Sequence, residues 1–160
     1  MIYHGIFSPI LTYGSQIWGQ QNSFVNKLQI IQNKAIGIIN FPKTQCTTRF
    51  LYKKYGILML ADYINLQNFL FVYDSLNNNL PSAISGQLRY METSYNTRNQ
   101  TYHQLSRYKS RTVLYGSRSI KSKSIDLWNF ILKKYHKDKF HEKSWTLIKS
   151  FFINYLLERY

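Results

Sequence analysis

The chain of 160 residues carries 21 Lys and Arg against 7 Asp and Glu, a formal net charge of +14, and is 44% hydrophobic and 17% aromatic. So large an apolar share excludes a wholly disordered chain, because buried apolar surface offsets the entropy of ordering, and the length argues for one domain or two very small ones. The cationic excess points to a polyanionic partner, most often nucleic acid and less often an anionic membrane surface.

One cysteine, Cys46, and four scattered histidines give neither an internal disulfide nor a zinc-ligand spacing. The N-terminus lacks a cationic leader region and is broken by Gly5, Pro9 and Gly14, so a secretory signal is not expected. No window of about 20 residues is apolar enough to span a bilayer. An intracellular protein of the cytoplasm or nucleus is the expectation.

In chain order, Ile2 to Trp18 predicts a short helix or two, with Pro9 tolerated in a first turn and Gly14 as a weak point. From Asn22 to Asn40 an amphipathic helix follows, its apolar stripe formed by Phe24, Leu28, Ile31, Ala35 and Ile38 and its end enforced by Pro42. Thr48 to Tyr55 predicts a short helix closed by Gly56 in a left-handed cap. Ala61 to Leu76 predicts a helix burying Tyr63, Leu66, Leu70, Tyr73 and Leu76, stopped by Asn77, Asn78, Asn79 and Pro81. Periodicity then fades over residues 82–124, a basic, Tyr- and Ser-rich region with room for short strands near Thr112 to Tyr115. Helices are expected again over Ile125 to Tyr135 and Ser144 to Leu157.

The reading is therefore a mainly α fold divided into residues 1–41, 42–81, 82–124 and 125–160. Its expected core includes Phe24, Leu28, Ile31, Ile38, Leu66, Leu70, Tyr73, Trp128, Ile131 and Phe151, and Trp18 and Trp145 also sit in apolar patterns.

Catalytic chemistry finds little footing. Two-metal catalysis needs convergent carboxylates, whereas the acids are dispersed along the chain. Asp74 follows aromatic residues but has no second Asp beside it, and a solvent-facing helical Asp is its expected role. Glycine-rich phosphate loops are absent, and no histidine neighbours a nucleophile, so no catalytic residue, metal site or cofactor is assigned.

Charge is distributed unevenly. Residues 1–88 carry six cations and two acids, residues 89–160 fifteen cations and five acids, and between Glu92 and Asp126 lie seven cations and no acid. There Arg98, Arg107, Lys109, Arg111, Arg118, Lys121 and Lys123 alternate with tyrosines including Tyr108 and Tyr115. Cations neutralise phosphates and aromatic faces stack on bases, the chemistry of sequence-tolerant nucleic-acid binding, so these nine residues are the candidate binding set. The competing reading is a solvated basic loop whose tyrosines pack on the helices.

Several segments carry a family resemblance: Phe7-Ser8-Pro9-Ile10-Leu11-Thr12-Tyr13-Gly14 with Ile17-Trp18-Gly19, and Leu28-Gln29-Ile30-Ile31-Gln32-Asn33-Lys34-Ala35-Ile36. Leu51-Tyr52-Lys53-Lys54 with Gly56-Ile57-Leu58, then Tyr95-Asn96-Thr97-Arg98-Asn99, Ser119-Ile120 and Leu127-Trp128-Asn129 continue the series. In that order they resemble the region downstream of the catalytic palm in reverse transcriptases of non-LTR retrotransposons of the jockey or CR1-like kind. The resemblance implies a helical thumb over about Ile2 to Asn40, with connection and C-terminal helices after it. It also implies RNA or DNA as partner, contact with the palm of a parent polymerase, and RNA-directed DNA polymerase chemistry using magnesium in a palm that would lie upstream of Met1. Gly37 departs from the pattern by replacing a basic residue, which speaks against a phosphate contact from that helix face. The expected activity is binding without catalysis. The alternative is a helical structural or protein-interaction module with a basic surface, and an uncovered apolar face would favour self-association.

Overall fold

The structure, a computed structural model, describes residues 3–40, 47–91, 104–107, 109–112, 116–135 and 144–160. The fold is mainly α. A π-helical turn, Tyr3–Phe7, leads into α1 (Ser8–Thr12) and α2 (Ser15–Trp18), followed by α3 (Asn22–Ile39), α4 (Thr48–Tyr55), α5 (Leu60–Leu76), α6 (Ser82–Ser85), α7 (Ile120–Tyr135) and α8 (Trp145–Leu157). The chain divides into two compact units, Met1–Leu66 with Ser150–Tyr160, and Gln67–Lys149.

The helix ends follow from local chemistry. Gly56, at φ 61°, occupies the left-handed position after α4, where its N–H donates to the Lys53 carbonyl and the Ile57 N–H to the Tyr52 carbonyl at 2.9 Å. Those two bonds make a Schellman motif, and its usual apolar contact is present because Ile57 and Tyr52 share one core cluster. The asparagine run ends α5 in the same way. Asn78 takes φ 56°, Asn78 N–H donates to Ser75 and Asn79 N–H to Asp74 at 2.9 Å, with Asn standing in the place glycine usually takes. In the N-terminal region Gly14, at φ 63°, separates α1 from α2 at the expected weak point, with the π-helical turn added before them. In the second unit α7 begins at Ile120, five residues before the expected Ile125, because Ser119 caps it through a bond from the Ser122 N–H. The short α6 falls in the region expected to be loop. Of the expected strand near Thr112 to Tyr115, residues 113–115 lie outside the described residues; the β pairing among the described residues is an isolated antiparallel bridge between Tyr90 and Leu105.

The largest correction concerns α3. Its apolar stripe faces outward: Phe24 is 55%, Ile31 49% and Ile38 75% exposed, while Leu28 is half-buried. The buried residues are Val25, Gln32 and Ile36, one position round the helix. The reason is a polar cluster that only this face supplies. Gln32, 2% exposed, donates to the Tyr3 hydroxyl at 2.8 Å and to the Leu58 carbonyl at 2.9 Å, and its carbonyl accepts from the Leu60 N–H at 2.9 Å. Gln29 donates to the Tyr52 hydroxyl at 2.7 Å and also accepts from Leu60 N–H, and Tyr52 donates to Asn33 at 2.7 Å. The Leu60 N–H opens α5 and has no partner within its own helix, so the glutamines act as its cap. Around this network pack Tyr3, Ile36, Leu51, Tyr52 and Ile57, and beside it Leu11, Val25, Leu60 and Ile64. Gly19 is required in its turn, since a Cβ there would collide with the Ser15 carbonyl oxygen and crowd Ile64 of α5 as well. From the other end of the unit, Tyr160 accepts from the Met59 N–H at 2.8 Å and donates to Asp62 at 2.7 Å.

Helix α5 is buried almost all round, and in the second unit, from Gln67 on, its Phe69, Leu70, Val72 and Tyr73 are inaccessible. Phe69 stacks on Trp128 of α7 with ring centroids 4.9 Å apart. Trp128, Ile131, Leu66, Leu70 and Tyr73 take the expected core positions. In the first unit Phe151 is half-buried and its neighbour Phe152 fully buried, again one position round. Trp18 is half-buried, whereas Trp145 is 40% exposed with the Lys149 ammonium 4.7 Å from its ring, so it is a surface residue and not a core one.

Candidate nucleic-acid interface

The basic segment is bound onto α7 at two points. At the first, Leu105 lies between two partners. On one side Met91 N–H donates to Gln104 and Ser106 N–H to Arg89, both at 2.8 Å. On the other the Asn129 carboxamide accepts from Leu105 N–H at 2.8 Å and donates to Leu105 C=O at 2.9 Å. Leu105 itself is completely buried. Arg107, two residues on, reaches Asp126 of α7 with Nε–Oδ1 at 2.8 Å, in an exposed pair worth at most about 1 kcal/mol.

The second point is Gly116. The Ser117 N–H donates to the Thr112 carbonyl at 3.2 Å, folding residues 109–112 back on residues 116–118. A Cβ on Gly116 would collide with the Ser110 side chain, so the close approach depends on glycine. Ser119 then donates to the Gly116 carbonyl at 2.7 Å and caps α7. Lys109, Arg111 and Arg118, all exposed, are thereby carried to the start of the helix whose first turns hold Lys121 and Lys123, both half-buried.

Electrostatically this is an unfavourable arrangement for the free protein. A helix N-terminus carries partial positive charge and favours acids, yet the first turn of α7 contains none. Burial and, after it, repulsion from Arg118 push the Lys123 pKa below its ordinary 10.5. An anion at this end of α7 would relieve both the dipole and the cation repulsion.

Of the nine candidate residues, the structure therefore brings Lys109, Arg111, Arg118, Lys121 and Lys123 to one helix start. Arg107 stands farther along α7, engaged with Asp126. Arg98, Tyr108 and Tyr115 lie outside the described residues. Arg89 is a further exposed cation, its carbonyl accepting from the Ser106 N–H, and it precedes the acid-free stretch. Asn129 was read only as part of a resemblance; its role as a clamp depends on a partner 24 residues away that no local pattern specifies.

Catalytic groupings give nothing further. Among the described residues no three His, Cys, Asp or Glu side chains gather where they could hold a metal ion. Asp74 sits half-buried near the end of α5 and accepts from Asn79 at 3.4 Å. Among the described residues no helix is long and apolar enough to cross a membrane. No family model, curated protein or solved structure matches the chain.

Proposed function

We propose that the chain is the noncatalytic C-terminal part of a retrotransposon RNA-directed DNA polymerase and that it binds nucleic acid through the start of α7. The observation that carries the binding reading is the placing of Arg118, Lys121 and Lys123 against the positive end of a helix dipole, with Lys109 and Arg111 folded beside them. Such a conflict between local electrostatics and local structure is characteristic of functional sites. The polymerase origin rests on the sequence resemblance alone. Magnesium and RNA-directed DNA synthesis belong in this reading to a palm supplied by other residues.

The test is binding of single-stranded RNA and DNA against salt. Each phosphate contact contributes roughly 0.7 to 0.9 to the slope of log affinity against log salt, so neutralising Arg111, Arg118 and Lys123 together should flatten it by about two or three. A folded chain that binds neither nucleic acid at low salt rejects the proposal.

A second reading, a protein-interaction module, is favoured by the outward apolar face of α3.

A further inference from the structure

Phe7 is the floor shared by two grooves in the first unit. One, of about 510 Å³, is lined by Ile6, Ile10, Tyr13, Leu28 and Ile31 among others. The other, of about 470 Å³, continues past Phe7 between Tyr3, Ile38, Ile39, Tyr55 and Ile57. Together they form an apolar trough with the π-helical turn and α1 along one wall and α3 along the other. Its walls include isoleucines that are 61% (Ile6), 75% (Ile10) and 75% (Ile38) exposed. Contiguous apolar surface of this kind marks an interaction site.

We infer that this trough docks an acidic amphipathic helix from another protein. The shape favours a helix, because a concave channel between two helical walls takes the apolar stripe of a third. A bilayer would need these side chains to protrude from a flat or convex surface. The charge selects the partner's flanks. Lys27 and Lys34 stand exposed on the same row of α3 as Ile31 and Ile38, at successive three- and four-residue steps. Lys54 lies against the Tyr55 ring on the other side, 5.4 Å from its centroid. The lining residues include no acid. A second copy of this chain would instead bring a net charge of +14 against +14. The site lies in a different unit from the start of α7 and does not depend on nucleic-acid binding.

The test uses the full chain and three labelled synthetic peptides of about 18 residues, or five helical turns. One carries a leucine stripe flanked by Glu, one the same stripe flanked by Lys, and one the first composition scrambled. Fluorescence anisotropy should show binding of the Glu-flanked peptide alone. Ile10→Asp and Ile38→Asp, both at exposed positions and checked for unchanged circular dichroism, should each weaken it at least tenfold. Lys34→Glu with Lys54→Glu should transfer preference to the Lys-flanked peptide, while the salt slope for nucleic acid stays as it was in Ile38→Asp. Equal binding of the scrambled peptide, no binding of any peptide, or failure of the charge reversal overturns the inference. So does a dimer in sedimentation that Ile38→Asp dissociates, or binding to phosphatidylserine vesicles that the same substitution abolishes.

Discussion

The Asn129 carboxamide holds Leu105 by both of its backbone groups, as a neighbouring strand would, from a position on a helix. Asn129 is 9% exposed and Leu105 fully buried, so truncation would leave a buried donor and a buried acceptor unpaired. Each such orphan costs about 1 to 3 kcal/mol, and Asn129→Ala should destabilise the second unit by about 2 to 5 kcal/mol in urea unfolding. Asn129→Asp should do nearly as badly, since a carboxylate accepts from the N–H but cannot donate to the carbonyl. Neither partner is deducible from sequence, because an asparagine in a helix reads equally well as a solvent-facing residue. Gly56 was legible for the opposite reason: a left-handed cap is a local requirement that glycine meets at little cost, and nothing distant alters it.

Helix α3 shows where hydrophobic periodicity stops being informative. It contains two rows at helical spacing: Phe24, Leu28, Ile31, Ala35 and Ile38, and Val25, Gln29, Gln32 and Ile36. The first is the more apolar and so the natural choice for the core. The second is buried because the start of α5 needs an acceptor for the Leu60 N–H, and Tyr3 and Tyr52 need partners for their hydroxyls. Periodicity located the element and its length correctly but could not register a demand made by backbone groups nearly 30 residues away. The two rows make opposed predictions. Ile36→Ala, at a fully buried site, should cost about 2 to 5 kcal/mol, whereas Ile38→Ala should stay within about 0.5 kcal/mol. Chemical denaturation of the pair decides between the two faces; equal losses would restore the outward row to the core. Helix α5 escaped this ambiguity because it is buried almost all round, so any face chosen was an inner one.

At the scale of the molecule, three tyrosines of the first unit tie stability to pH. Burial is the main cause that raises the pKa of Tyr3, Tyr52 and Tyr160 above the ordinary 10.0, and for Tyr160 the nearby Asp62 carboxylate adds to it. Below about pH 10 both the folded and the unfolded chain keep these protons, and the stability is fully present. Above it the unfolded chain releases them first, so stability should fall steeply as pH rises past about 10, with no matching loss on the acid side from these groups. Urea midpoints followed from roughly pH 8 to 11 should show the drop, and Tyr160→Phe should make it shallower. The fold class and the cationic half were legible from composition and spacing. The division into units was not, because it depends on residues 150–160 returning to the first 66.

That return has a consequence for how the chain is made. Tyr160 meets Met59 and Asp62 across about a hundred residues of intervening chain, and the whole second unit is spelled out between them. During synthesis the later-encoded unit is complete before the earlier one can close. Until Tyr160 has been made, the Met59 N–H and the Asp62 carboxylate lack the tyrosine that joins them. Contacts of such long sequence separation form slowly, since loop closure precedes any gain from the contact. Residues 1–66 therefore finish folding after residues 67–149, and removal of residues 150–160 would cost the first unit its final piece.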